Sequence, residues 1–150
     1  MTLIAYPTAN YNSWGTLAEA LAYFEARLHV DEWDAAEEPT QTAALLMAFR
    51  SLNELDFDLQ WKADKTLADT YTDAQKAEIL AALKQAQCEE ALYLLRLDVD
   101  EVQSVQAVSL GGMLSVRLES SGKYPPPQHS RRALDILRPI LKGRAVRRFR

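Results

Sequence analysis

The stretch Thr72–Leu97, TDAQKAEILAALKQAQCEEALYLLRL, constrains this chain more than any other. It runs 26 residues without Gly or Pro, the two residues that interrupt helices most strongly. It opens on Thr72 and Gln75, the spacing of a capping box, in which each residue satisfies an amide of the other. Ile79, Leu80, Leu83, Ala86, Ala91, Leu94 and Leu95 fill one broad side at helical spacing. The pattern predicts a helix over about 73–97. Ala81, Ala82, Ala86 and Ala91 leave room for other helices to pack closely.

Similar signals recur on either side. Thr16 and Glu19 form a second capping box, and Leu17, Leu21, Phe24 and Leu28 repeat at helical spacing, predicting a helix over about 16–29. The stretch VDEWDAAEEP breaks it, and Trp33 is expected to pack back on the domain. Pro39 suits a first helical turn. Leu45, Leu46, Phe49, Leu52 and Leu55 then make the stripe of a helix over about 39–55. DFDLQWKADKTLADTY reads as a loop or short extended piece, pinned by the alternating Phe57, Leu59 and Trp61. Further on, the apolar period becomes two. Val108 and Leu110 precede Gly111-Gly112, and Leu114, Val116 and Leu118 alternate with polar residues after it. This predicts a β-hairpin over about 105–119. SGKYPPPQH reads as a stiff linker, and Ser130 caps a short helix, RRALDILRPILKG, which Pro139 kinks or ends. The expected fold is mainly α: a small bundle of about four helices with a hairpin and an extended C-terminal arm. Residues 1–122 form the body, and residues 123–150 the linker, short helix and arm.

At 150 residues, 48% hydrophobic and 25% charged, the chain is one ordinary globular domain. The lone Cys88 sits in the apolar helical pattern and reads as a small buried hydrophobe. No apolar run approaches a membrane span, and MTLIAYPTANYNSW lacks the basic and apolar regions of a signal peptide, so synthesis in the cytoplasm is expected. Catalytic signatures do not emerge. His29 and His129 lie away from metal-ligand spacing, no Gly-rich phosphate loop is present, and Cys88 has no basic neighbour. The acidic pairs Glu37-Glu38 and Glu89-Glu90 read as solvated faces. The chain is therefore read as a non-enzyme without metal or cofactor.

Charge is unevenly placed. Residues 1–130 hold 9 Lys and Arg against 20 Asp and Glu, a net of −11. Residues 131–150 hold 8 against Asp135 alone, a net of +7. A core is indifferent to where surface charge sits, so such a division points to a docking segment for something acidic. Arg144, Arg147, Arg148 and Arg150 suit phosphates, and Phe149 suits stacking on a base. The same segment suits an acidic protein groove, with Phe149 as its anchor. The acidic body favours the second reading, because it repels a polyanion everywhere else.

GTLAEALAYFEARLHVDEW, TAALLMAFRSLNEL, ILAALKQAQCEEALYLL, AVSLGGMLSVRLES and RRALDILRPIL, in that order, resemble the head–tail adaptor proteins of tailed bacteriophages. Some proteins of that group carry the label DnaT-like single-stranded-DNA-binding protein. The resemblance spans nearly the whole chain. It rests on an alanine-rich helical rhythm and an order of elements rather than on an active-site signature. DFDLQWKADKTLADTY lacks a Trp-Pro-Arg segment associated with close relatives. The resemblance implies a structural virion protein of the neck, made in the host cytoplasm. Many copies, commonly twelve, form a ring under the portal protein, and a stopper or tail-completion protein meets the other end. DNA passes through the channel as cargo during ejection, with no membrane and no cofactor involved. It also implies a portal-gripping C-terminal arm, here Ile140, Leu141, Lys142, Arg144, Val146, Arg147, Arg148, Phe149 and Arg150. Val108, Leu110, Gly111, Gly112, Met113, Leu114 and Arg117 of the hairpin are expected at ring or stopper contacts. The alternative is a DnaT-like single-stranded-DNA-binding accessory protein of replication.

Overall fold

The structure, a computed structural model, describes residues 2–108 and 128–142, and of residues 98–108 the helical backbone alone. Among the described residues are five α-helices: α1 (Leu17–Glu25), α2 (Asp31–Ala35), α3 (Glu38–Asn53), α4 (Asp73–Val108) and α5 (Arg131–Leu137). A 3-10 turn, Arg138–Ile140, follows α5. None of the helices is long and apolar enough to cross a membrane.

The helix starts follow local chemistry. Thr16 Oγ1 accepts from Glu19 N at 3.1 Å while Glu19 Oε1 accepts from Thr16 N at 3.3 Å. The Thr72–Gln75 pair repeats this at the head of α4, at 3.2 and 2.9 Å. Pro39 sits in the first turn of α3, where a missing amide costs nothing. Ser130 caps α5, its side chain accepting from Ala133 N. Each cap contributes about 1 kcal/mol. Pro139 ends α5 and tightens the chain into the 3-10 turn. The stretch read as a break after α1 holds the short α2, whose Trp33 is 1% exposed and lies 4.3 Å from the Phe24 ring.

Helix α4 is the axis of the molecule. Helices α3 and α5 pack along it, with α1 and α2 against it as well. All seven residues from Ala86 to Leu92 are buried, so this part of α4 has no solvent face. The apolar core falls into two clusters along it. The first joins Ala20, Phe24, Trp33, Ala44, Leu45 and Ala48 to Cys88, Ala91, Leu92 and Leu95. The second joins Trp14, Phe49 and Leu52 to Leu83, Ala86, Ala133, Leu137 and Leu141. Alanine at positions 48, 86, 91 and 133, each fully buried, lets the helix backbones approach closely.

Three expectations need correction. The β-hairpin over 105–119 is not supported. Residues 105–108 are the last four of α4, no strand occurs among the described residues, and residues 109–119 lie outside them. The alternation read there is real in the sequence, but α4 is already running and carries its i→i+4 ladder past the expected end at 97. Second, the stripe on α1 is only partly internal. Ala20 and Phe24 face the core, whereas Leu21 is 42% and Leu28 79% exposed. Third, Glu89 and Glu90 are buried rather than solvated, at 4% and 0% exposure. Glu37 and Glu38 are exposed, as read.

Candidate interaction site: a basic segment rooted on an acidic body

Three polar side chains on the buried part of α4, Gln87, Glu89 and Glu90, organise what surrounds it. Gln87 spends its full hydrogen-bonding capacity. Its Oε1 accepts from Trp14 N (3.0 Å) and Gly15 N (3.3 Å), and its Nε2 donates to Ser13 Oγ (2.7 Å) and Leu45 O (2.9 Å). One side chain thus ties the N-terminal segment to α3 and α4. Glu89 faces α1, where Arg27 Nε reaches Oε1 at 2.6 Å and Arg27 Nη2 reaches Oε2 at 3.1 Å. Tyr23 Oη also donates to Oε1, at 2.6 Å.

Burial alone would push the Glu89 carboxyl up. The hydrogen bonds from Arg27 and Tyr23, with the Arg27 charge, outweigh it and hold the group below the usual carboxylate range. Burial, with the Glu89 bond, raises the Tyr23 phenol. A depressed folded-state value means stability that is present above the unfolded value, about 4.3, and lost as pH falls through the folded one. The Glu89→Gln variant is therefore expected to show a shallower loss of stability below about pH 4 than the parent protein in acid denaturation. Superimposable acid limbs would refute the assignment.

Glu90 faces α5. Its Oε2 accepts from Ser130 N at 2.7 Å, and its Oε1 lies 3.2 Å from both Ser51 Oγ and His129 Nδ1. Ser51 Oγ is 3.0 Å from the same ring nitrogen. Hydroxyl and carboxyl therefore crowd one nitrogen of the ring, whereas a nucleophile-activating relay places them on opposite nitrogens. The arrangement is a clamp that holds the start of α5 against α3 and α4. His129, read as part of a linker, is 5% exposed. Cys88 is buried as expected, and burial, then the charges of Glu89 and Glu19, push its thiol up to about 12.

The chain beyond α5 is also tied down. Leu141 pairs antiparallel with Phe57: Asp58 N donates to Ile140 O at 2.8 Å, and Lys142 N donates to Asp56 O at 3.0 Å. Leu141 is 8% exposed and belongs to the second core cluster, with Ile140 packed against it. Both were expected to anchor a partner, and the structure places them on this subunit's own core. Lys142 is exposed and pairs with Asp56 at 3.4 Å. The remaining arm residues, Arg144, Val146, Arg147, Arg148, Phe149 and Arg150, lie outside the described residues. Val108 is the last residue of α4, and Leu110, Gly111, Gly112, Met113, Leu114 and Arg117 lie outside.

The segment that receives Leu141 alternates. Leu55, Phe57, Leu59 and Trp61 are half-buried, while Glu54, Asp56, Asp58 and Gln60 are exposed. The inward side chains, with Tyr11, Phe49, Asn53 and Lys65, line an open groove of about 490 Å³. Its aromatic wall continues inward, with Tyr11 and Trp14 edge-on to Phe49 at 5.8 and 4.8 Å. The alternation of Phe57, Leu59 and Trp61 was legible. The groove was not, because half its lining comes from residues 11, 49, 53 and 65. The signal that marks Glu89, Glu90 and Gln87 as internal is the set of apolar or small helical neighbours Leu83, Ala86, Cys88, Ala91 and Leu92.

No family model matches the chain, and no curated protein or solved structure matches it.

Proposed function

We propose that this chain is a structural head-to-tail adaptor of a tailed bacteriophage, joining the portal protein to a stopper or tail-completion protein as a ring of copies around the DNA channel. The observation that carries the reading is the division of charge, a net of −11 over residues 1–130 and +7 over 131–150. The mainly helical body supports this reading. An acidic channel wall lets DNA slide without sticking, because like charge denies it a binding site. A ring of identical subunits needs head-to-tail contacts between two different faces of each copy. The docking arm continues from Lys142, the last of the described residues and itself tied to the body, through Arg144, Val146, Arg147, Arg148, Phe149 and Arg150. Its arginines pair with acidic portal residues, and Val146 and Phe149 supply apolar anchoring.

Removing residues 143–150 leaves every described hydrogen bond in place, so the truncated chain is expected to keep its helical circular dichroism while losing co-purification with portal. Negative-stain images of the full chain mixed with portal are expected to show an added ring at the portal's narrow end. Normal portal binding by the truncated chain would overturn the role of the arm.

The second reading, a single-stranded-DNA-binding accessory protein, is favoured by the four arginines and one aromatic within residues 143–150. It requires oligonucleotide binding that weakens with salt, with a log–log slope of roughly −3 if all four arginines contact phosphate. Bare portals together with such a slope would favour it over the adaptor.

A further inference from the structure

The groove of about 490 Å³ between Tyr11, Phe49 and the Leu55–Trp61 segment mixes aromatic and aliphatic walls with the polar Asn53 and Lys65, and has no occupant among the described residues. We propose that it is the resting seat of this chain's own residues 143–150, with Phe149 as the side chain that fills it. The inference goes beyond the adaptor reading and does not depend on it.

Direction is the first argument. The antiparallel pairing of Phe57 with Leu141 sets a register in which the chain leaving Lys142 runs back along Asp56 toward Leu55 and Asn53. Leu55 and Asn53 are both among the residues that line the groove. A chain continuing past Lys142 in that register would meet the groove before open solvent.

Length is the second. Phe149 lies seven residues beyond Lys142, a reach of up to about 23 Å when extended. That is ample to enter at Leu55 and fold back over Phe57 and Trp61, and Gly143 permits the change of direction at the start.

Charge is the third. The outward side chains of the receiving segment include Glu54, Asp56 and Asp58, all exposed. The arriving segment holds Arg144, Arg147, Arg148 and Arg150 and no acid. Lys142–Asp56 is the first pair of this series and is already formed. Among the groove's lining residues only Lys65, near the Tyr11 end, opposes the pattern. It also lies beside Asp64 in the chain.

The tether decides the occupant. A segment fixed at Lys142 meets the groove at an effective concentration in the millimolar range, about a thousandfold above a second copy at micromolar concentration. The seat therefore fills from its own chain first, and an apolar, basic arm is kept off other surfaces until a better partner competes for it.

The test uses the full chain carrying the photo-crosslinking substitution Phe149→p-benzoylphenylalanine, irradiated alone at low micromolar concentration, digested and read by mass spectrometry. The expected result is a cross-link to Tyr11 or to the 55–61 segment in the monomer fraction. Cross-links confined to a dimer fraction would mean a second copy's arm sits there and would overturn the proposal. So would adducts scattered over other surfaces, or none at all. Adding Asn53→Arg, an exposed lining position on the helix end, is expected to abolish the cross-link with the melting temperature unchanged. Its persistence would also overturn the proposal. No portal is present in this experiment, so its failure leaves the portal reading standing, and a failed portal test leaves this seat standing.

Discussion

Glu90→Ala is expected to destabilise the subunit by about 2–4 kcal/mol, read from chemical denaturation with an unchanged denaturant slope. The side chain is fully buried and serves Ser130 N, Ser51 Oγ and His129 Nδ1 together. Removing it orphans a backbone amide and leaves an imidazole, itself 5% exposed, without its carboxyl partner. Unmet polar groups in a dry site cost more than the bonds they made were worth. Glu90→Gln keeps one acceptor oxygen and the volume, so it is expected to cost about half as much. Equal loss from both variants would show that the carboxylate's hydrogen bonds carry the whole effect, and no loss from Glu90→Gln would show that cavity formation dominates at this position.

Leu137→Ala is the second large effect, expected at about 2–5 kcal/mol. Leu137 is fully buried in the cluster that also contains Trp14, Leu52, Leu83 and Leu141. Helix α5 has only seven residues, too short to hold itself in water without packing. The deletion therefore weakens α5 and the attachment of Leu141 to Phe57 together. Limited proteolysis after Ser130 is expected to quicken in the same variant. Leu28→Ala, at a position 79% exposed, is expected to change stability by less than about 0.5 kcal/mol. A comparable loss at Leu28 would mean that the turn following α1 is covered in solution.

The first prediction concerns a residue whose role the sequence disguised. His129 follows three prolines, and SGKYPPPQH reads as a spacer by composition. What pulls its last residues inward is Glu90, 39 positions away, and no local pattern registers such a partner. Glu89 and Glu90 look like surface charge because acidic pairs on helices normally are. They are internal because α1 and α5 approach α4 from two sides and supply Arg27 and Ser130 as partners. Leu141 looked like an anchor for another protein because it precedes a basic run. Its pairing with Phe57 depends on an extended segment that sequence marks only as irregular.

The chain by itself determined the helical class, the capping boxes at Thr16–Glu19 and Thr72–Gln75, the start at Pro39, the cap at Ser130 and the stop at Pro139. Each is decided within about four residues, the range over which a side chain can satisfy or deny a backbone amide. It also determined the opposed charges of the body and the C-terminal segment, which no fold can alter. Tertiary structure alone decided that α4 is the axis, that its Gln87, Glu89 and Glu90 are internal, and that residues 129–142 close over it. Burial is a property of what arrives from elsewhere in the chain. A polar side chain survives it only where the arriving elements bring matching donors and acceptors.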